Sequence, residues 1–289
     1  MNTRKQGRKR KHISVAKTIV FIIFLLYAVS LLFPIVWGFL MSMLTRAEFN
    51  AASGSIKLPS GINLRNYVLA WNELSSNGIS LVTMTLNSIW YAAGSSFLCV
   101  VFSAMTAYVT TKYQFPGRKF FHGFAWVTMM IPIMGNMASS LRFFRRLGVA
   151  DTLLYVVFSV SVLSYLYVVL CSTFRGLSWE YAESAFVDGA GHFRVFFQIM
   201  LPQVYSPIVA LFISEFIGKW NDSMTPLIYF PSMPTLASGL YVYQTVASRA
   251  VNYPMLFAAL IMCMIPVLVL FFLFQESLMD IQLGGGIKG

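Results

Sequence analysis

Glu180-Tyr-Ala-Glu183-Ser-Ala-Phe-Val-Asp188-Gly189-Ala190-Gly191, running on to Ile199-Met-Leu201-Pro202, is a polar, turn-containing island in an otherwise apolar chain. The spacing predicts a short helix over Trp179–Val187, with Ser178 as its N-cap and Glu180 near the positive helix end. Gly189 and Gly191 break that helix, because glycine accepts positive φ at little cost. A second helix starts at Asp188 or Gly191 and runs through Met200; Pro202 and Pro207 end it. Ala182, Ala185, Phe186 and Gly189 share one face, and Phe193, Phe196, Phe197 and Met200 extend an apolar surface. Small and aromatic knobs of this kind suit a groove on a partner. The competing use is a helix lying on lipid headgroups.

Around the island the composition is that of a membrane protein. Of 289 residues, 57% are hydrophobic and 11% charged, against roughly 25% charged in soluble domains. Mean hydropathy is +0.69. A span needs about 20 apolar residues, and charged residues bracket candidates at Val15–Met43, Leu81–Thr110, Phe120–Ser140, Thr152–Thr173, Pro207–Tyr229 and Met255–Leu278. The expectation is therefore all-α and polytopic, with about six transmembrane helices. A β-barrel would need about 10-residue segments of alternating polarity, and these runs are long and continuous.

The net charge of +11 is unevenly placed: seven of the 21 Lys and Arg residues lie in the first 17 positions. A basic tail before an apolar run reads as a cytoplasmic anchor on anionic lipid rather than a nucleic-acid surface. The run after Lys17 is too long for a secretory signal core of about 7–15 residues. With the N-terminus inside, inner segments carry 13 Lys and Arg and outer segments 7, so both termini are expected in the cytoplasm. The cluster Arg142/Arg145/Arg146 would then lie outside. The divisions are a basic tail over 1–14, a transmembrane region over 15–278 with an outer loop at 46–80 and an inner loop at 176–206, and a Gly-rich cytoplasmic tail over 279–289.

Several chemistries are absent from the sequence. There is no P-loop signature, so the chain is not itself an ATPase. Cys99, Cys171 and Cys263 sit in apolar runs without metal-site spacing, and the three His lie far apart. No catalytic residue and no metal ligand is assigned.

The island resembles the EAA loop of bacterial ABC-importer permeases: Glu183-Ser184-Ala185, then Asp188-Gly189-Ala190, then Ile199-x-Leu201-Pro202. Asn66-Tyr67, Asn87-Ser88, Ile131-Pro132, Trp220-Asn221-Asp222 with Pro226, and the terminal Gly284–Gly289 resemble the carbohydrate branch, the maltose-type second permease. Two departures are small: Ser184 replaces the middle Ala, and Gly191 stands where Ser is common. The resemblance implies a type I importer permease in a bacterial cell membrane, carrying oligosaccharides or other carbohydrates. Its implied partners are a second permease, two cytoplasmic ABC ATPases that hydrolyse ATP with Mg, and an extracytoplasmic solute-binding protein, with lipid around it and no nucleic acid. This chain would bind no cofactor. Glu180, Glu183, Ala185, Phe186, Asp188, Gly189, Ala190, Phe193, Leu201 and Pro202 are the residues expected to couple it to the ATPases. The alternatives are a polyamine or peptide permease of the same superfamily, or a secondary transporter.

The fifth span carries Glu215, Lys219 and Asp222 at spacings of 4 and 3, which puts them on one face with Trp220 and Asn221 alongside. A charge at the bilayer centre costs roughly 2.5–3.5 kcal/mol on insertion scales. The stripe is therefore expected to face the translocation path or a partner subunit, unless it pairs internally. Asn87, Ser88, Trp90, Tyr91, Asn136, Tyr165 and Tyr167 are of residue types that suit sugars, although Trp and Tyr in spans are more often interface anchors.

Overall fold

A computed structural model describes residues 15–51, 58–76, 78–131, 135–246 and 251–284. The basic segment 1–14, part of the loop 46–80, Pro132, Arg249 and the last residues of the Gly-rich tail lie outside them. The chain forms two compact units, Met1–Val68 with Asn252–Ile261, and Leu69–Val251 with Met262–Gly289.

In the first unit, α1 (Val15–Ser42) is so uniformly apolar that no single face is marked for burial, and its most hydrophobic stretch buries nothing. Thr45 and Glu48 form a capping box for α2 (Arg46–Ala51): the Glu48 carboxylate accepts from the Thr45 N–H at 2.8 Å, and Thr45 Oγ1 accepts from the Glu48 N–H at 3.2 Å. Asn66 donates its amide to the carbonyls of Ser42 and Leu44 at 2.7 and 2.8 Å, satisfying acceptors orphaned at the end of α1. The hydroxyls of Tyr67 and Ser42 are 2.8 Å apart. The Asn-Tyr pair is thus a helix C-terminal clamp. Phe257 packs edge-on to Trp37 at 5.3 Å, and Tyr253 stacks on Phe49 at the same distance.

In the second unit the chain continues through α3 (Arg65–Glu73) and a two-residue hairpin, β1 (Ser75–Ser76) against β2 (Ile79–Ser80). Then come α4 (Leu81–Lys112), α5 (Arg118–Met130), α6 (Met137–Arg146), α7 (Tyr155–Phe158) and α8 (Tyr165–Arg175). The island supplies α9 (Glu180–Val187) and α10 (His192–Val195), and the chain ends with α11 (Tyr205–Trp220), α12 (Met224–Tyr229), α13 (Leu236–Val246) and α14 (Tyr253–Gly284). The central helix is α4, which packs most extensively on α8 and α11. Half of its buried residues are small: Ser88, Ala92, Ser95, Ser96, Ser103, Ala104 and Ala107. Small side chains let helix backbones approach closely in a membrane.

Among the described residues, four helical stretches are long and apolar enough to cross a membrane: Ala16–Ser42, Leu81–Lys112, His192–Trp220 and Tyr253–Glu276. The third and fourth predicted spans are interrupted. Ile131 adopts φ −90° and ψ 107°, the extended conformation that a following proline imposes. Beyond Gly135, at φ +78°, the chain restarts as the short amphipathic α6, which carries Arg142, Arg145 and Arg146 and is too short to cross a membrane. Residues 159–164 are non-helical, and the Ser159 hydroxyl donates to the Val156 carbonyl at 3.3 Å where α7 ends. The break frees the Val162 carbonyl, and Ser103 of α4 donates to it at 2.9 Å, as irregular backbone within a membrane requires.

Two further links fix the loops that follow α6 and α12. Asp151, in the left-handed region at φ +60°, accepts from the N–H and hydroxyl of Ser232 at 3.0 and 2.6 Å, and donates its own N–H to the Tyr229 carbonyl at 2.7 Å. Tyr155 stacks on Tyr229 at 5.0 Å and touches Phe230 at 5.4 Å.

Candidate functional site

The island folds as helix, turn, helix. Trp179 occupies the cap position of α9, and Ser178 Oγ accepts from the Glu180 N–H at 3.3 Å. Gly189 ends the helix at φ +80°. The Ala190 N–H reaches the Ala185 carbonyl at 2.9 Å and the Gly189 N–H reaches Phe186 at 3.0 Å, the paired bonds of a Schellman motif. Gly191, extended at φ −75° and ψ 161°, then caps α10.

Contrary to the sequence expectation, Pro202 and Pro207 do not end the second helix. A π turn over Phe196–Met200 widens the ladder, marked by the Leu201 N–H on the Phe196 carbonyl at 2.8 Å. A 3₁₀ turn at Pro202–Val204 follows, and α11 continues. Pro207 falls in the first turn of α11, where its missing N–H has no helical partner to lose. The result is one 29-residue rod from His192 to Trp220.

The island is clamped to α4 and α8. Lys112 donates to the Leu177 carbonyl at 2.6 Å. Tyr113 packs edge-on to Trp179 at 5.5 Å, and its hydroxyl lies 2.8 Å from His192 Nδ1. Phe186 meets His192 at 5.0 Å, and Tyr108 meets Phe196 and Phe174 at 5.1 and 5.6 Å. Such aromatic pairs contribute roughly 0.5–1.5 kcal/mol each beyond area burial. An apolar cavity of about 350 Å³ opens beside Tyr108, His192 and Phe193.

This clamping assigns the predicted residues to two faces. Ala182 and Ala185 are buried in the chain's own core, and Phe186, Ala190 and Leu201 pack against it. Ala185, Phe186, Ala190 and Leu201 therefore hold the island in place, and the small-residue face is not the open one. The open face carries Glu180, Tyr181, Glu183, Ser184, Val187 (87% exposed), Asp188, Gly189 and Phe193 (71%), with Pro202 also exposed. Three carboxylates and the large apolar side chains of Val187 and Phe193 stand exposed there, and none of the three carboxylates has a side-chain partner among the described residues. Helical periodicity finds the apolar face but cannot tell an internal core from an external groove. The Tyr113–His192 contact, 79 residues apart in sequence, gave no local signal.

The fifth-span residues separate in a similar way. Trp220 is buried, stacks on Phe216 at 5.6 Å and donates its indole N–H to the Cys263 carbonyl at 3.1 Å. Asn221 caps α11 through the Ile217 carbonyl at 2.9 Å. Asp222 accepts the Tyr91 hydroxyl at 3.0 Å on one oxygen and the Thr225 N–H at 3.0 Å on the other. Lys219 Nζ stands 6.0 Å from the Tyr91 ring centroid. Among the described residues, no ion pair joins Lys219 to Glu215. Asn87 donates to the Pro234 carbonyl at 3.0 Å, and Ser88 accepts from the Leu236 N–H at 2.7 Å. The Asn-Ser motif and Asp222 thus hold the segment 221–236, which contains the short α12. Lys219→Met is expected to leave assembly intact and to change uptake several-fold, since the half-buried ammonium has no carboxylate of its own; unchanged uptake in vesicles would count against a place on the path.

Residues 99–279 match the family described as binding-protein-dependent transport system inner membrane component. The chain is 27% identical over 261 residues to a diacetylchitobiose uptake system permease protein of Streptomyces coelicolor, covering 88% of this chain and 83% of that one. It is 29% identical to an arabinooligosaccharides transport system permease protein of Halalkalibacterium halodurans, covering 80% and 81%. It is 25% identical to a trehalose transport system permease protein of Mycobacterium tuberculosis, covering 89% and 93%. In three dimensions it resembles a chain of a bacterial ABC transporter involved in import of the acidic polysaccharide alginate, with a TM-score of 0.76 at 19% identity over 92% of this chain and 99% of the other.

Proposed function

Because this chain belongs to the binding-protein-dependent transport system inner membrane components, a family of multi-pass membrane subunits, we propose that it is one permease of an ATP-driven carbohydrate importer. It forms the translocation path with a second permease, receives cargo from an extracytoplasmic binding protein, and leaves ATP and Mg chemistry to two ATPase subunits. The observation that carries this is the island. One face of α9 is fastened to α4 and α8, and the open side of the island presents Glu183, Val187, Asp188 and, from α10, Phe193, all exposed. A rigidly mounted, outward-facing helix is a docking element. In this reading its partner is an ATPase, the island is cytoplasmic, and both termini lie on that side. The carbohydrate class is supported by the cargo named for the three permease relatives.

Coupling requires that the ATPases bind the two permease states with different affinity. Moving a gate from 1:99 to 99:1 takes about 5.5 kcal/mol of differential binding. Co-purification of this chain with its partner subunits, followed by ATPase assays in nanodiscs with loaded binding protein, tests the proposal. Stimulation is expected with oligosaccharides and not with polyamines or peptides. A complex that forms but answers only to peptides would reassign the cargo, and a chain that never captures an ATPase would overturn the reading.

A further inference from the structure

A cavity of about 260 Å³ lies between α5 and α8, lined by His122, Trp126, Tyr167, Cys171, Ser172 and Arg175. The transport reading makes no use of it. Its floor is internally satisfied. Thr110 donates its hydroxyl proton to the Thr106 carbonyl at 2.8 Å, so it accepts from the Tyr167 hydroxyl at 3.0 Å. Tyr167 in turn accepts from Nδ1 of His122 at 3.0 Å. This chain of donors orients side chains on three helices. The mouth differs from the floor. Ser172 and Arg175 are exposed there, and neither has a hydrogen-bond partner among the described residues.

The surroundings give the ligand's character. The end of α4 at Lys112, the start of α5 at Arg118 and Lys119, and the end of α8 at Arg175 share one side of the helix layer. None of these three helices contains Asp or Glu. From His122, Trp126, Met129 and Met130 continue along the same side of α5 at helical spacing, exposed and apolar. A cationic pocket that opens onto an apolar strip is complementary to an amphiphile with an anionic head. Basic pockets between membrane helices recognise such headgroups. The volume falls just below the roughly 300–1,000 Å³ of drug-sized sites, which suits a headgroup and not a whole lipid.

We propose that this cavity binds the phosphate of an anionic phospholipid, with Arg175 and Ser172 donating to it and an acyl chain lying along Trp126, Met129 and Met130. The bound lipid braces α8 against α5 immediately before the chain enters the island at Gly176. The apolar strip favours a lipid over free phosphate, which would gain nothing from it.

The test uses the assembled complex in detergent, titrated separately with phosphatidylglycerol, phosphatidylcholine and inorganic phosphate, and read by native mass spectrometry and by thermal shift. Phosphatidylglycerol is expected to bind about tenfold tighter than phosphatidylcholine and to raise the melting temperature. Loss of a charge-assisted hydrogen bond in Arg175→Gln should weaken phosphatidylglycerol roughly tenfold or more. Ser172→Ala, a milder change, should weaken it a few-fold and covers the case in which the Arg175 variant does not assemble. Equal binding of the two lipids, or indifference to both variants, overturns the site. Inorganic phosphate reproducing the whole thermal shift would assign the cavity to a free anion and overturn the lipid. Loss of a partner subunit from Arg175→Gln with lipid binding intact would assign the arginine to a protein interface instead.

Discussion

Gly189→Val is expected to reduce uptake by at least tenfold. Gly189 sits at φ +80°, where a non-glycine residue loses about 1–2 kcal/mol and a β-branched one more. A Cβ there would meet nothing of the chain within 4 Å, so the penalty is in the backbone and not in crowding. The strain acts where the two Schellman bonds turn the chain from α9 to α10, and it is relieved by reorienting α9 relative to its mount. About 1.4 kcal/mol already corresponds to a tenfold change. The side chain tolerates the left-handed region in the order Asn, Ala, Val, so uptake should fall in that order, with Asn nearest the parent. ATPase activity measured alongside separates the causes. Retained hydrolysis with lost uptake means uncoupling; loss of both means a failed dock. Full retention of both activities by the Val variant would remove Gly189 from the coupling element.

The second large effect is expected at Asp222. Asp222→Ala strands the buried Tyr91 hydroxyl and uncaps Thr225, together worth about 2–4 kcal/mol. It also removes the carboxylate next to the unpaired Lys219. The complex should melt several degrees lower and transport poorly. Asp222→Asn keeps both contacts, because the Tyr91 oxygen can accept from the amide, and should be much milder. Tyr91→Phe alone should lose roughly 1 kcal/mol. Added to Asp222→Ala it should change little, since the two share one bond. Strict additivity in melting experiments would show that the bond does not form.

Local chemistry accounts for what could be read in advance. The helix–Gly–helix layout of the island follows from Gly189 and Gly191 and was legible to within a residue. The long apolar runs gave the helical class. What escaped is non-local. The break inside the fourth span depends on Ser103 waiting 59 residues away to satisfy Val162. Hydropathy cannot see such a donor, and it therefore returns an unbroken helix. The polar residues of α4 were of types that suit a sugar, yet Asn87, Ser88 and Tyr91 are taken up by the segment 221–236, 131 to 148 residues further on. Pro202 signalled a stop, and the π turn converted the stop into a bend, because widening by one residue absorbs a missing N–H.

That bend sets a gear ratio. The rod from His192 to Trp220 has 29 residues, about 43 Å at 1.5 Å per residue, close to the full thickness of a bilayer with its headgroups. With the middle of the π turn at Phe196–Met200 as fulcrum, the arm toward His192 is about 9 Å long and the arm toward Trp220 about 33 Å. A displacement of ~1 Å at the short end then sweeps about 3 to 4 Å at the far end, so even a small stroke at the island arrives enlarged at the other end of the rod.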